Sequence, residues 1–388
     1  MRKSRNKNKF IISKQKLLKS KRNKINEKRK TKKNFKYLKL KKLLSFVLLI
    51  ILIYIIYKLI MTIILKKNRA KENFNINNPN NFSLNLSYND LQEIFHNKNE
   101  IDLFLNNKTL YYYNLRKRLL KNTNRNYDES NIITFQNKLD YLLIHESPEY
   151  KSILADKTRV GEYSQKILGK NICVPILKIY NNSNEIKLED LPEKFVLKCN
   201  HGSGFNILVK NKSSFDLEKA KQLLNSWMHI NYGFVFGEAQ YLFIKRKILL
   251  SPYLGDNLKE YKFFCFNGEP KYIVVSTKLN NGNHLYNYYD LNWNLTEIDH
   301  NFPGVVRDPN VIIEKPKHLN LMIEYARKFS NEFVFVRVDL YDINDTIYLS
   351  ELTFSPTDNR MKYKNEEQRI YLGSLLDITK IRPYLFNH

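Results

Sequence analysis

The 388-residue sequence predicts an α/β chain of the α+β kind, built on antiparallel sheets and preceded by one membrane-spanning helix. Three observations carry this. From about residue 131, strand-like and helix-like patterns alternate, the mark of mixed layers. Two turn pairs, Asn267-Gly268 and Asn344-Asp345, each separate two apolar runs, which predicts hairpins. Near the N-terminus, residues 43–65 form a run of 23 with a single charge, Lys58.

The first 42 residues hold 20 Lys and Arg against one acid, Glu27, so 19 of the 27 net positive charges lie there. The charge is therefore a property of a tail, not of the whole chain. The apolar run that follows is long enough for a bilayer core of ~30 Å, and Lys58 can snorkel toward the headgroups. It is too long for the apolar core of a signal peptide, and no small-residue cleavage site follows it. The Lys/Arg asymmetry predicts a cytoplasmic tail at 1–42, a single-pass transmembrane helix at 43–65 and a translocated domain of lumenal or extracellular location in the secretory pathway. The expected partners of these segments are the lipid bilayer and, at the tail, anionic lipid headgroups. Nucleic acid is disfavoured, because the tail lacks interleaved aromatics beyond Phe10, Phe35 and Tyr37.

Residues 66–130 are rich in Asn and Lys and predict a stem or linker with some helix over 90–121, where Leu91, Ile94, Phe95, Leu115 and Leu119 recur at helical spacing. Asn-x-Ser/Thr triplets occur at Asn81, Asn85, Asn107, Asn181, Asn294 and Asn344, which matter only in a lumenal domain. The folded domain follows at 131–388. Helices are expected over 150–168, 215–228 and 319–329. Strands are expected at 194–199 (KFVLKC), 205–209 (FNILV) and 246–250. The two hairpins join 261–266 to 270–275 and 333–341 to 346–354. Cys173, Cys199 and Cys265 have neither disulfide nor metal spacing, and Cys199 and Cys265 read as small core residues.

Three spots carry chemistry. Lys198 ends a strand and leads into His201, Gly202, Ser203 and Gly204, where glycines let backbone N–H groups approach phosphate; the same residues also make an ordinary hairpin turn. Strand alternation puts Arg337 with Asp339, and Glu351 with Thr353, on single faces, and the Asn344-Asp345 turn brings Asp339 opposite Glu351. Two such carboxylates need a cation between them, which suits Mg2+; the bland alternative is a pair of solvent-facing acids beside an arginine. Asp156-Lys157 precedes a helix, with Asp156 as its cap, and Val174-Pro175 follows that helix.

In this order the three spots resemble the ATP-grasp superfamily, and more closely the TupA-like ATP-grasp family, found among genes for cell-surface polymers. The similar stretches include DKTRVGEYSQKILGKNICVP, LPEKFVLKCNHGSG, YKFFCFNGEPKYI and FVFVRVDLYDINDTIYLSELTF, and they run over residues 134–378. The resemblance implies an ATP-grasp-like domain of two antiparallel-sheet subdomains, with ATP and Mg2+ as cofactors. It implies that Lys157 and Lys198 hold the nucleotide's phosphates, under a loop of His201, Gly202, Ser203 and Gly204. Tyr253 and Leu254 would belong to the hinge that holds the base. Asp339, Glu351 and Thr353 would bind the metal. Arg337 and Lys262 would be catalytic, Arg337 by stabilising charge on an acyl-phosphate-like intermediate. The implied chemistry is carboxylate activation followed by amine attack.

The chain departs from the family pattern in four places. The acidic hinge residue is Ser251, and Pro252 removes a backbone donor. Thr353 replaces the amide of E-x-N, residues 357–363 (TDNRMKY) replace a Gly-rich stretch, and Gly161 replaces an arginine. The expected function is thus a membrane-anchored ligase acting on a glycan or peptide acceptor in a cell-surface or secretory polymer. The alternatives are a type II membrane glycosyl- or phosphotransferase, or a catalytically inactive binding protein of the same fold. No D-x-D sugar-nucleotide motif supports the transferase.

Overall fold

A computed structural model describes residues 73–76, 84–95, 98–122 and 127–381, apart from 129, 147, 257, 280, 281 and 360. The basic tail, the membrane helix expected at 43–65 and the triplet at Asn81 lie outside the described residues. Among the described residues no helix is long and apolar enough to cross a membrane.

The described unit opens with a short antiparallel ribbon, Asn73–Ile76 with Leu84–Ser87. Three helices follow: α1 (Tyr88–Ile94), α2 (Lys98–Asn106) and α3 (Lys108–Asn122). Most of their described apolar side chains turn inward, whereas Leu110 and Tyr113 of α3 are exposed. Leu91, Phe95, Phe104, Tyr111, Tyr112 and Leu115 are buried in the main core, and Phe104 stacks on Phe243 at a ring distance of 5.6 Å. The helical spacing of these residues is thus a packing stripe.

Next come α4 (Phe135–His145), α5 (Pro148–Ala155) and α6 (Val160–Leu168). The sequence predicts one continuous helix over 150–168, and the structure corrects this to two. The break is local chemistry: the Asp156 carboxylate accepts from the Thr158 amide and hydroxyl, both at 2.8 Å, and this side-chain turn competes with the helix. Asp156 therefore folds a corner instead of capping α6, whose N-cap is Arg159.

A four-stranded sheet contains β1 (Lys178–Tyr180), β2 (Phe195–Cys199), β3 (Asn206–Val209) and β4 (Ile248–Pro252), in the order β1-β4-β2-β3, with every pair antiparallel. Alternation sends Phe195, Leu197 and Cys199 into a core completed by Leu224 of α7 (Leu217–Met228). It sends Val196, Lys198 and, opposite Val196, Ser251 to the other face. Pro252 is tolerated because it ends β4, beyond the pairing with β1, which stops at Leu250. The short helix α8 (Tyr232–Phe236) follows α7 in the chain.

A six-stranded mixed sheet holds β5 (Glu260–Phe266), β6 (Glu269–Lys278), β7 (His284–Tyr289), β8 (Val305–Val306), β9 (Phe335–Ile343) and β10 (Thr346–Thr353), in the order β8-β7-β6-β5-β9-β10. Only the β8–β7 pair is parallel. Both expected hairpins form. Asn267 and Gly268 have φ of 50° and 86°, and Asn344 and Asp345 have 47° and 61°, the left-handed conformations a two-residue hairpin turn requires. Helix α9 (Leu319–Ser330) packs against β5, β6 and β9, and its Met322, Ala326 and Phe329 share a core with Phe263, Cys265, Val336 and Val338. On the opposite face Phe264, Phe266 and Phe335 pack on Phe135 of α4, with α10 (Glu366–Ser374) alongside. Cys199 and Cys265 are buried, and all three cysteines are free.

Strand β10 carries one extra residue. Asp339 pairs with Glu351 but Leu340 pairs with Leu349, so Ser350 is bulged out. Leu349 and Leu352 can then both enter the core although three residues apart.

Candidate active site

The two sheets face each other across a cleft of about 970 Å³. Its size suits a nucleotide-sized ligand. Lys157, Lys198 and the Gly202–Gly204 turn line one side, and Lys262, Arg337 and Glu351 line the other.

Asn200 positions the first side. Its amide donates to the Asp156 carboxylate at 2.8 Å and to the Lys245 carbonyl at 2.9 Å, while its carbonyl accepts from the Lys247 amide at 2.7 Å. Fully buried, it ties the Asp156 corner to the end of β2, joining two segments 44 residues apart. Lys157 then reaches over the turn and donates to the Gly202 carbonyl at 3.0 Å. Nothing in the sequence pattern around Asn200 marks this role.

Glycine is required at residue 202 by close approach. A Cβ there would lie 2.6 Å from Cδ2 of Tyr232. Gly204 has a φ of 75°, which side-chain-bearing residues avoid. His201 does not join the cleft, contrary to the expectation that it cradles phosphate. It is 1% exposed, and its Nε2 is 3.1 Å from the Trp227 carbonyl at the end of α7. Burial, helped by the Arg246 charge, pushes its pKa down to about 3, so it is a neutral anchor for the loop.

Lys198 points from β2 into the cleft near Lys157 and Glu351. Burial, reinforced by the Lys157 charge, lowers its pKa to about 8. Tyr253 and Leu254 also line the cleft, and the Tyr253 hydroxyl donates to Asp256 at 2.5 Å. The hydroxyl of Ser251, on the cleft face of β4, is buried and has no hydrogen-bond partner among the described residues. Such an orphan is the kind of group a bound base would satisfy.

The second side is a row across three strands. Lys262 on β5 lies opposite Asp339 on β9, which lies opposite Glu351 on β10. Arg337 sends Nε to Asp339 Oδ1 at 2.7 Å and Nη2 to Oδ2 at 2.6 Å; the same Nη2 reaches Glu351 at 3.3 Å and Thr353 at 3.0 Å. Lys262 Nζ donates to Asp339 Oδ2 at 3.0 Å and also pairs with Glu260. Burial opposes the charge on both cations, but Asp339 and the neighbouring glutamates outweigh it and hold them protonated. Burial likewise raises the Asp339 carboxyl, against the pull of Arg337 and Lys262. For Glu351 burial is outweighed by Lys157, Arg337 and Lys262, which bring its pKa down to about 2.

The residues expected to bind Mg2+ fit one such ion in part. Glu351 and Thr353 line the cleft, and the nearest ammonium to Glu351 Oε2 is that of Lys157 at 3.9 Å. Asp339 has no exposed surface, and its oxygens are taken by Arg337 and Lys262. Among the described residues no group of three or more His, Cys, Asp or Glu is arranged to hold a metal ion. Any ion here must complete its shell with water and ligand oxygens.

The family model for TupA-like ATP-grasp proteins matches residues 136–377. The chain belongs to this family. Its two facing sheets, antiparallel and mixed, are the α+β ATP-grasp fold. No curated protein matches the chain. Solved structures similar to this TupA-like chain include a D-alanine–D-alanine ligase from Bacillus anthracis complexed with ATP, at 16% identity and a TM-score of 0.31, covering 56% of this chain and 61% of that one. The D-alanine–D-alanine ligase of Helicobacter pylori is 14% identical with a TM-score of 0.32, covering 58% and 62%. A biotin carboxylase from Campylobacter jejuni is 11% identical with a TM-score of 0.37, covering 63% and 51%. The alignment spans less than two thirds of each of these proteins. The assignment rests on the family model.

The match begins after the first three helices of the described unit. Helices α1 to α3 lie before the matched residues and share their main core. They pack beside the segment that supplies Tyr232, Phe236, Glu238 and Tyr241 to the cleft wall, with Arg118 over the Phe234 ring at 4.6 Å.

Proposed function

We propose that this TupA-like protein is an ATP- and Mg2+-dependent ligase joining a carboxylate to an amine on a cell-surface or secretory glycan or peptide polymer. The observation that carries the reading is the convergence of Lys157 and Lys198 on one side of the cleft with Arg337 and Glu351 on the other. Bound nucleotide would supply the activating phosphoryl group, and a divalent ion would shield its charge. The chain's own groups then have defined tasks. Lys157 and Lys198 present ammonium groups beside a glycine turn. Arg337 presents a guanidinium already oriented by Asp339, so it needs no reorganisation when charge develops. Glu351 and Thr353 offer oxygens to the cation.

The test is Mg2+-dependent nucleotide binding by the full chain. Native protein is expected to bind ATP more tightly with Mg2+ than without. Glu351→Gln is expected to abolish that dependence while keeping the fold. If native protein binds no nucleotide under either condition, the ligase reading is overturned. The replacement of the E-x-N amide by Thr353 and the enclosure of Asp339 favour one second reading, an inactive binding protein. Nucleotide binding indifferent to Mg2+ would support it.

The anchor belongs to the same proposal. Residues 43–65 hold the protein in the bilayer, the basic tail meets anionic headgroups in the cytoplasm, and the ligase domain faces the lumen or exterior. Asn294 and Asn344 are exposed. In a eukaryotic secretory host they are expected to carry glycans, read as a mass shift that an endoglycosidase removes. Cleavage of the domain by a cytosolic-side protease in intact vesicles would overturn this orientation.

A further inference from the structure

We propose that the β6–β7 end of the cleft is a subsite for an uncharged sugar ring, so that the polymer is engaged through its glycan and not through a peptide. The inference deepens the ligase reading above and rests on it for the role of the cleft.

Register lays out the floor. On β6, Val274 and Ser276 lie opposite Lys262 and Glu260 of β5. Tyr288 and Tyr286 continue the same two rows onto β7. The row of Glu351, Asp339 and Lys262 thus runs on into an apolar and aromatic stretch. His300 belongs to the short strand His300–Asn301, which pairs with Lys362–Tyr363. Its ring lies 5.6 Å from the rings of both Tyr286 and Tyr288. Ser276, Tyr286, His300 and Phe302 all line the cleft.

Three polar groups converge here without a partner. The Tyr288 hydroxyl pairs with Nδ1 of His300, which leaves Nε2. That nitrogen and the hydroxyls of Ser276 and Tyr286 have no hydrogen-bond partner among the described residues. Ser276 and His300 are only 6% and 7% exposed, so bulk water satisfies them poorly.

The class of ligand follows from what these groups are. Hydroxyl groups both donate and accept, which matches the hydroxyls of a sugar. Burial, opposed by Asp299 and helped by Arg337, lowers the pKa of His300 to about 4, so the imidazole is neutral at pH 7. Tyr286 and Phe302 offer ring surface to the C–H face of a sugar. A terminal ammonium finds no uncommitted anion. Each carboxylate lining the cleft already has a partner: Glu238 has Gln240, Asp256 has Tyr253, Glu260 has Lys262 and Glu351 has Arg337. Lys278 and His284, opposite each other and exposed, form the rim.

The experiment uses full-length protein and saturation-transfer NMR. The probes are the methyl glycosides of glucose, galactose and N-acetylglucosamine, with trialanine for comparison. At least one glycoside is expected to receive saturation, strongest at its ring C–H protons, and trialanine none. Ser276→Ala and Tyr286→Phe each remove a hydroxyl that has no partner in the free protein. Both are expected to leave the urea midpoint unchanged or raised, yet to weaken the glycoside by about three- to tenfold, the loss of one hydrogen bond. A purely structural role for these hydroxyls predicts the opposite pattern. Native protein that binds no glycoside, or binds trialanine instead, would overturn the inference, as would glycoside affinity unchanged in both variants. Retention of a non-hydrolysable ATP analogue is measured separately by dialysis. Its failure in native protein would overturn the ligase reading, whatever the glycosides do.

Discussion

Exchanging Arg337 for methionine is expected to lower the stability of the folded domain by about 3–5 kcal/mol, the range for breaking a buried ion pair on one side. The cause is what remains behind. Asp339 has no exposed surface and would keep only Lys262, while Glu351 and Thr353 would lose the guanidinium that links them. Urea unfolding of native and variant protein reads the effect as a large fall in the midpoint. Lysine at the same position keeps the charge but loses the two-pronged bond, so Arg337→Lys is expected to fall between the two. Arg327→Met is the control. Arg327 pairs with Glu269 at 2.9 Å, but the two side chains are 48% and 49% exposed, so the loss should stay below ~1 kcal/mol. Equal losses for Arg327→Met and Arg337→Met would show that the buried row contributes nothing special.

Lys198→Met is expected to weaken nucleotide binding by roughly 30- to 150-fold at pH 7, the equivalent of a charge-assisted hydrogen bond worth about 2–3 kcal/mol. The pH dependence distinguishes this from a packing defect. Burial and the Lys157 charge lower the pKa of Lys198 to about 8 in the free protein. Below that pH the ammonium is charged and affinity is full. Above it the free protein must take up a proton to bind phosphate, so affinity falls by at most about tenfold per pH unit. The methionine variant has no such proton and should give a flat profile between pH 7 and pH 9 across this limb. A native profile that is equally flat would remove Lys198 from the phosphate site.

Elements set by local chemistry were legible in the sequence. The turns at Asn267-Gly268 and Asn344-Asp345 need left-handed backbone, which those residue types tolerate, and both hairpins form around them. The alternation that puts Arg337, Asp339, Glu351 and Thr353 on one face is likewise a property of the strands themselves. The rest depends on partners far along the chain. Asp156 breaks the helix predicted over 150–168 and is fixed by Asn200, a contact across 44 residues that no local pattern announces. His201 turns inward because the end of α7 offers it a carbonyl, and a glycine loop looks the same in sequence whichever way its histidine faces. The enclosure of Asp339 needs Lys262 on a strand 77 positions earlier. The bulge at Ser350 did leave a signal. Core residues Ile347, Leu349, Leu352 and Phe354 step by two, three and two, and the step of three marks the inserted residue.

That single inserted residue leaves the parity of β10 intact. Side chains alternate along a regular strand, and a bulge adds one residue without exchanging the faces on either side of it. A chain shortened at Ser350 would therefore keep Ile347, Leu349 and Leu352 in the apolar layer under α9 and Glu351 and Thr353 in the cleft, on an unbroken ladder. One residue more or less at this point makes or removes a bulge and leaves the site's faces as they are. In any relative of this chain, the count of residues between the Asn344-Asp345 turn and the glutamate tells whether the bulge is present, and the glutamate faces the cleft either way.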